Sequence, residues 1–121
     1  MRLIDTNLII YAALPNFHWL LPIIKTKDSA IATITRIEVL GFSNIQSREE
    51  VFFTRYFSSI QQCPLSEDII LQAIALRQKK KIKLGDSIIA ATALFYNAEL
   101  YTHNIVDFNW IDGLVVKDPI P

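Results

Sequence analysis

Short, continuous apolar runs alternate along the chain with longer segments whose apolar residues recur at helical spacing, and turn or capping residues mark most junctions. Arg2 to Asp5 reads as a short strand, and Asn7 to Leu14 as a helical apolar block ended by Pro15. Residues 17–27 read as helical, with Pro22 either kinking that helix or starting a new one. Ala30 to Ala32 is a second strand. Thr35 opens a helix through about Phe42, and Ser47 to Glu50 opens another in which Phe53, Tyr56, Phe57 and Ile60 share one face. A weak strand from Gln61 to Cys63 stops at Pro64. Ser66 caps the next helix, with Glu67 and Asp68 at its N-terminus and the basic run Arg77 to Lys83 near its C-terminus. Asp86 starts a very apolar helix that Asn97 closes, and Glu99 to Thr102 and Leu114 to Val116 complete the strands.

Strands alternating with helices predict an α/β fold, a three-layer α/β/α sandwich around a central, mainly parallel sheet joined by right-handed crossovers. No repeat, linker or low-complexity tract interrupts the 121 residues, of which 51% are hydrophobic, so residues 1–121 are expected to form one domain with its own core. In that topology Asp5 lies at the C-terminal end of the first strand, Glu38 in the helix leaving the second, and Asp107 after the fourth. The helix at Asp86 runs antiparallel to the strand it feeds, which returns its N-terminus to the same edge. Four acids spread over a hundred positions thus converge where open α/β sheets bind ligands.

Composition narrows the chemistry. Twelve basic and twelve acidic side chains cancel, so no global basic field attracts nucleic acid, and any such contact must be local. The single cysteine, Cys63, excludes an intrachain disulfide, and it leaves no zinc set with the two distant histidines. The start Met-Arg-Leu-Ile-Asp is not a signal sequence, and the apolar stretch at 88–96 falls short of the ~20 residues of a membrane span. A soluble, cytoplasmic protein is expected.

The acids sit among Ile, Leu and Ala, where lost hydration is costly unless a partner or a cation compensates. Two like charges ~4 Å apart repel by roughly 4 kcal/mol at an effective dielectric near 20, and a divalent ion would relieve that repulsion.

At these residues the sequence resembles the PIN-domain family, and within it the small toxins of the VapC type. Leu-Ile-Asp-Thr-Asn at 3–7 is similar to the family's opening acidic motif, and Glu38 in Thr-Arg-Ile-Glu-Val to its glutamate. Leu-Gly-Asp-Ser-Ile-Ile-Ala-Ala-Thr-Ala-Leu at 84–94 resembles the third acidic segment, and Thr102-His-Asn104 with Asp107-Phe108 the fourth. The resemblance implies an endoribonuclease dependent on Mg²⁺ or Mn²⁺. By that analogy Asp5, Glu38, Asp86 and Asp107 ligate the metal directly or through water, and Thr6 and Asn104 support them. It also implies a cognate antitoxin protein, an RNA substrate and a homodimer.

Each residue also has a plainer reading. Thr35 to Glu38 is a capping box on its face, and Asp86 would serve as an N-cap. Arg36 either binds substrate or pairs with an acid. The basic run fits a solvated helix end as well as a phosphate contact. His18 and His103 read as surface or packed polar residues, and the Phe53/Phe57 face as core or dimer interface. Two other functions share the pattern: a non-catalytic RNA-binding module of the same fold, and a phosphatase of the haloacid-dehalogenase type. The latter requires a second aspartate at position 7, where this chain carries Asn7.

Overall fold

The computed structural model describes residues 1–121. Five strands, β1 (Arg2–Ile4), β2 (Ser29–Ala32), β3 (Gln61–Cys63), β4 (Glu99–Tyr101) and β5 (Val116–Lys117), form one sheet in the order β3-β2-β1-β4-β5. Every neighbouring pair is parallel, as the alternation of elements requires. The helices are α1 (Thr6–Ala12), α2 (Leu21–Ile24), α3 (Thr33–Leu40), α4 (Ser47–Ser58), α5 (Glu67–Lys79), α6 (Leu84–Phe95) and α7 (Ile105–Phe108). A 3₁₀ segment over Pro15–Leu20 precedes α2, which Pro22 opens rather than kinks because a proline needs no N–H partner in a first turn.

Both faces of the sheet are covered, so alternate side chains of the short strands divide between two cores. Leu3, Ala30, Ala32, Cys63 and Leu100 pack with residues of α5 and α6. Ile4 and Ile31 point the other way, against Leu8 and Ile9 of α1 and Phe53, Tyr56 and Phe57 of α4. The aromatic face of α4 is therefore core, and the Tyr56 hydroxyl donates to the Ile24 carbonyl at 2.7 Å, fastening α4 to α2. α6 can press against the sheet because it buries small residues, Ala90, Ala91 and Ala93 among them. It ends in a Schellman turn: Asn97 takes φ 52°, and the Ala98 N–H reaches the Ala93 carbonyl at 2.8 Å. No helix is long and apolar enough to cross a membrane.

Several boundaries differ from the sequence reading: β1 and β4 stop at Ile4 and Tyr101, α1 ends at Ala12, residues 25–28 are not helical, and β2 begins at Ser29. α3 starts at Thr33 and α6 at Leu84, with Ala32 and Lys83 at the cap positions and no side-chain cap bond at either. β5 is Val116–Lys117 because it follows the register of β4, Leu100 opposite Val116 and Tyr101 opposite Lys117.

Candidate functional site

Asp5 is the first residue past β1, and there it caps α1. Its Oδ1 accepts the Thr6 N–H at 2.8 Å, and its Oδ2 accepts the Thr102 hydroxyl at 2.7 Å. The bond to Thr102 crosses the boundary between β1 and β4, where the strand order reverses, which is the crevice open α/β sheets use for ligands. Asp5 is only 4% exposed. Burial pushes its carboxyl up to about 6; the Thr102 hydroxyl and the Thr6 N–H oppose this, while the charges of Asp86 and Glu38 add to it.

Glu38 reaches the same place from α3. Because α3 begins at Thr33, Glu38 lies in its second turn, and the capping box suggested by the sequence does not form. Instead Glu38 Oε1 accepts the Thr6 hydroxyl at 2.6 Å, with the buried Thr35 hydroxyl 3.2 Å from the same Thr6 oxygen. Glu38 Oε2 lies against the Cα of Gly85, where an added Cβ would collide with it. The Glu38 carboxylate is thereby set against the first turn of α6.

Asp86 is the third residue of α6, not its cap, so its carboxylate faces the favourable end of the helix dipole. Burial raises its pKa, with further upward contributions from Asp107 and Glu38, against a downward one from Lys83. Asp107 stands exposed in α7, its main-chain carbonyl accepting the Trp110 indole N–H at 2.9 Å. Asn104 takes the cap position of α7 and contributes through its backbone: its N–H donates to the Thr102 hydroxyl at 2.9 Å. Thr102 consequently donates to Asp5 while accepting from Asn104. Asp5, Glu38 and Asp86 thus share one electrostatic neighbourhood, and Asp107 joins it through Asp86. They stand open, with no three acidic, histidine or cysteine side chains drawn into a closed cluster.

Two residues that carry this geometry lie in motifs quoted from the sequence but have no role assigned there, Thr102 as the hydrogen-bond donor to Asp5 and Gly85 as the space for Glu38. Arg36 pairs with no acid. It is exposed and donates to Gln62 Oε1 at 3.3 Å, beside β3. His18 stacks on Phe52 with ring centroids 6.3 Å apart. His103 binds Asp118 at 2.8 Å and meets the Tyr11 ring edge-on. The Asn7 side-chain amide is buried without a protein hydrogen-bond partner. A carboxylate is what a phosphatase of the aspartate type would need there.

The arrangement offers hard oxygen donors at a sheet crevice, with one carboxyl poised to change protonation near neutrality. Comparison with known proteins finds relatives in sequence and in fold. The chain is 30% identical over 108 residues to the ribonuclease VapC10 of Mycobacterium tuberculosis, covering 85% of this chain and 80% of that protein. A toxin-antitoxin complex from Klebsiella pneumoniae superposes with a TM-score of 0.77 at 33% identity, over 95% of this chain and 96% of that one. VapBC2 of Rickettsia felis, solved with a DNA fragment from its promoter, shares the fold with a TM-score of 0.80 at 23% identity, over 97% of each chain. The PIN domain profile matches residues 2–110, a span that holds all four acids, and the chain belongs to the PIN-domain family.

Proposed function

We propose that this protein is a metal-dependent endoribonuclease, acting as the toxin of a toxin-antitoxin pair. The observation that carries the reading is the buried Asp5 carboxylate, oriented by Thr102 and Thr6 and facing the charges of Glu38 and Asp86. Such a group gains from a cation what burial takes away. The donor set is oxygen only, which suits Mg²⁺ or Mn²⁺, hard cations of which Mg²⁺ usually retains several of its waters. Asp5, Glu38, Asp86 and Asp107 would hold it. When bound, such an ion supplies positive charge to the phosphodiester oxygens and lowers the pKa of a coordinated water.

The protein's own side chains have separate tasks in this scheme. Thr102 and the Thr6 N–H fix Asp5 in one orientation, so that neither carboxylate oxygen rotates away from the crevice. The Thr6 hydroxyl does the same for Glu38 and leaves its second oxygen toward α6. Asn104 acts through Thr102, and Arg36 stands ready for substrate at the outer rim.

The likeness to VapC10 supports RNA as the substrate, and the likeness to the Klebsiella pneumoniae complex supports an antitoxin partner. An antitoxin segment would place a basic side chain among the four acids. A homodimer would bury the exposed Ile70, Leu71 and Ile74 of α5, apolar residues that water otherwise contacts.

The deciding experiment incubates antitoxin-free protein with total cellular RNA in Mg²⁺, Mn²⁺ or EDTA, beside Asp5→Asn and Asp86→Asn. Discrete cuts that need both metal and the two aspartates are expected. Undiminished cleavage by either variant would refute the assignment of the site.

A further inference from the structure

The basic run after α5 lies close to the acids. Lys80 follows the last residue of α5, and residues 80–83 carry the chain back to α6, so the cations are delivered beside Asp86 by a loop of fixed length. A helix C-terminus attracts cations whatever the function, and by itself this placement means little. Two observations give it meaning. Arg77, Lys80, Lys81 and Lys83 line one open groove of about 520 Å³ together with Asp86 and Asp107, a size within the roughly 300–1,000 Å³ of ligand sites. The groove also contains an aromatic ring held in place: the Trp110 indole N–H is bound to the Asp107 carbonyl, and the Lys80 ammonium lies 5.3 Å from the ring centroid.

We infer that this groove is the track for single-stranded RNA beside the scissile bond, with Lys80 and Lys81 on its phosphates and Trp110 against a base. The inference rests on the proposed nuclease function and names a substrate class for it. Charge favours it, because a chain with no net charge concentrates four cations on a path that ends at the carboxylates. An aromatic ring interleaved with cations is the pattern that holds single strands, whose bases are free to stack, whereas a duplex hides its base faces.

The test uses the full chain with Asp5→Asn to prevent cleavage and Trp19→Phe to leave Trp110 as the only indole. Its emission is followed in EDTA during titration with a short single-stranded oligoribonucleotide, the same sequence as a duplex, or polyglutamate. The single strand should change Trp110 emission with an affinity at least about ten-fold above that of the duplex, since only unpaired bases can stack. Lys80→Ala with Lys81→Ala, both exposed, should reduce the salt dependence by about 1.4 in log–log slope, at ~0.7 per phosphate. Unchanged binding by that double variant would overturn the inference. So would emission that responds to polyglutamate but not to RNA, which would mark the groove as a seat for an acidic polypeptide. Metal-dependent cleavage by the unmodified protein is scored separately: cutting without groove binding removes this inference and leaves the nuclease proposal standing, whereas groove binding without cutting removes the nuclease proposal and, with it, the placement of the groove beside a scissile bond.

Discussion

The Thr102 hydroxyl donates to the Asp5 carboxylate at 2.7 Å across 97 positions of sequence, and the bond is buried. It links the two halves of the sheet at the carboxyl edge, beside the Asp5 N–H bond to the Tyr101 carbonyl at 2.9 Å. Thr102→Val keeps the shape but removes both this bond and the acceptor for the Asn104 N–H. The expected loss is about 1–3 kcal/mol, as for other buried polar groups left unpaired. It should be larger at pH 7.5 than at pH 5, because only the ionised Asp5 depends on the donor. Denaturant melts at the two pH values check this, and equal losses would show that Asp5 is not the partner that matters.

Asp5 also sets a pH dependence of the metal-free protein. Its pKa rises from 3.8 to about 6 on folding, so between these values the folded chain binds more protons than the unfolded one. Stability contributed by the protonated form is present below pH 3.8 and declines as pH climbs to about 6. The full span is worth about 3 kcal/mol, at roughly 1.4 kcal/mol per tenfold change in proton affinity. Asp5→Asn should abolish that decline, so that in EDTA the variant melts above the parent at pH 7.5 and close to it at pH 4. A variant less stable than the parent at pH 7.5 would contradict the desolvation argument.

Much of this was legible beforehand, because parallel topology alone brings the ends of β1 and β4 and the starts of α3 and α6 to one edge. Short apolar runs marked β1, β2 and β5, the polar Gln61–Cys63 only weakly marked β3, and Ser66 and Asn97 marked helix ends that the fold uses. The capping signals at Thr35 and Asp86 misled because helices begin where the preceding strand or loop delivers the chain. Thr35 and Asp86 are both the third residue of their helices. Thr102 and Gly85 stood in quoted motifs, but their roles were not legible for a different reason. One acts through a single proton given to a distant residue, and the other through the side chain it lacks, and neither leaves a periodic trace.

Gly85 therefore makes a sharp test. An added methyl would collide with Glu38 Oε2, the far end of a flexible side chain that can swing aside at small cost. Alanine meanwhile gains about 1 kcal/mol of helix propensity over glycine. Gly85→Ala should melt at or above the parent temperature while its metal-dependent RNA cleavage falls by about ten-fold or more, the consequence of misplacing a catalytic group by about 1 Å. Parental activity in a folded variant would show that the position of Glu38 is unimportant.

Metal should stabilise the fold through the same residues. Adding Mn²⁺ or Mg²⁺ to a hundred times its dissociation constant should contribute about 2.7 kcal/mol to the native state. Asp86→Asn should lose most of that gain, whereas Asp112→Asn, in the turn before Gly113, should keep it. Equal thermal shifts in all three proteins would place the ion elsewhere.

The strand order has a consequence for biosynthesis. β1 lies in the middle of the sheet, and one of its edges is empty until β4, residues 99–101, can pair with it. Asp5 is synthesised well before Asp86, Thr102 and Asp107. A nascent chain can hold Asp5 and Glu38 before Asp86 and Asp107 exist, so the edge proposed as the site is completed only when β4 pairs with β1. Until β4 is made, Asp5 also lacks the Thr102 hydroxyl that orients it.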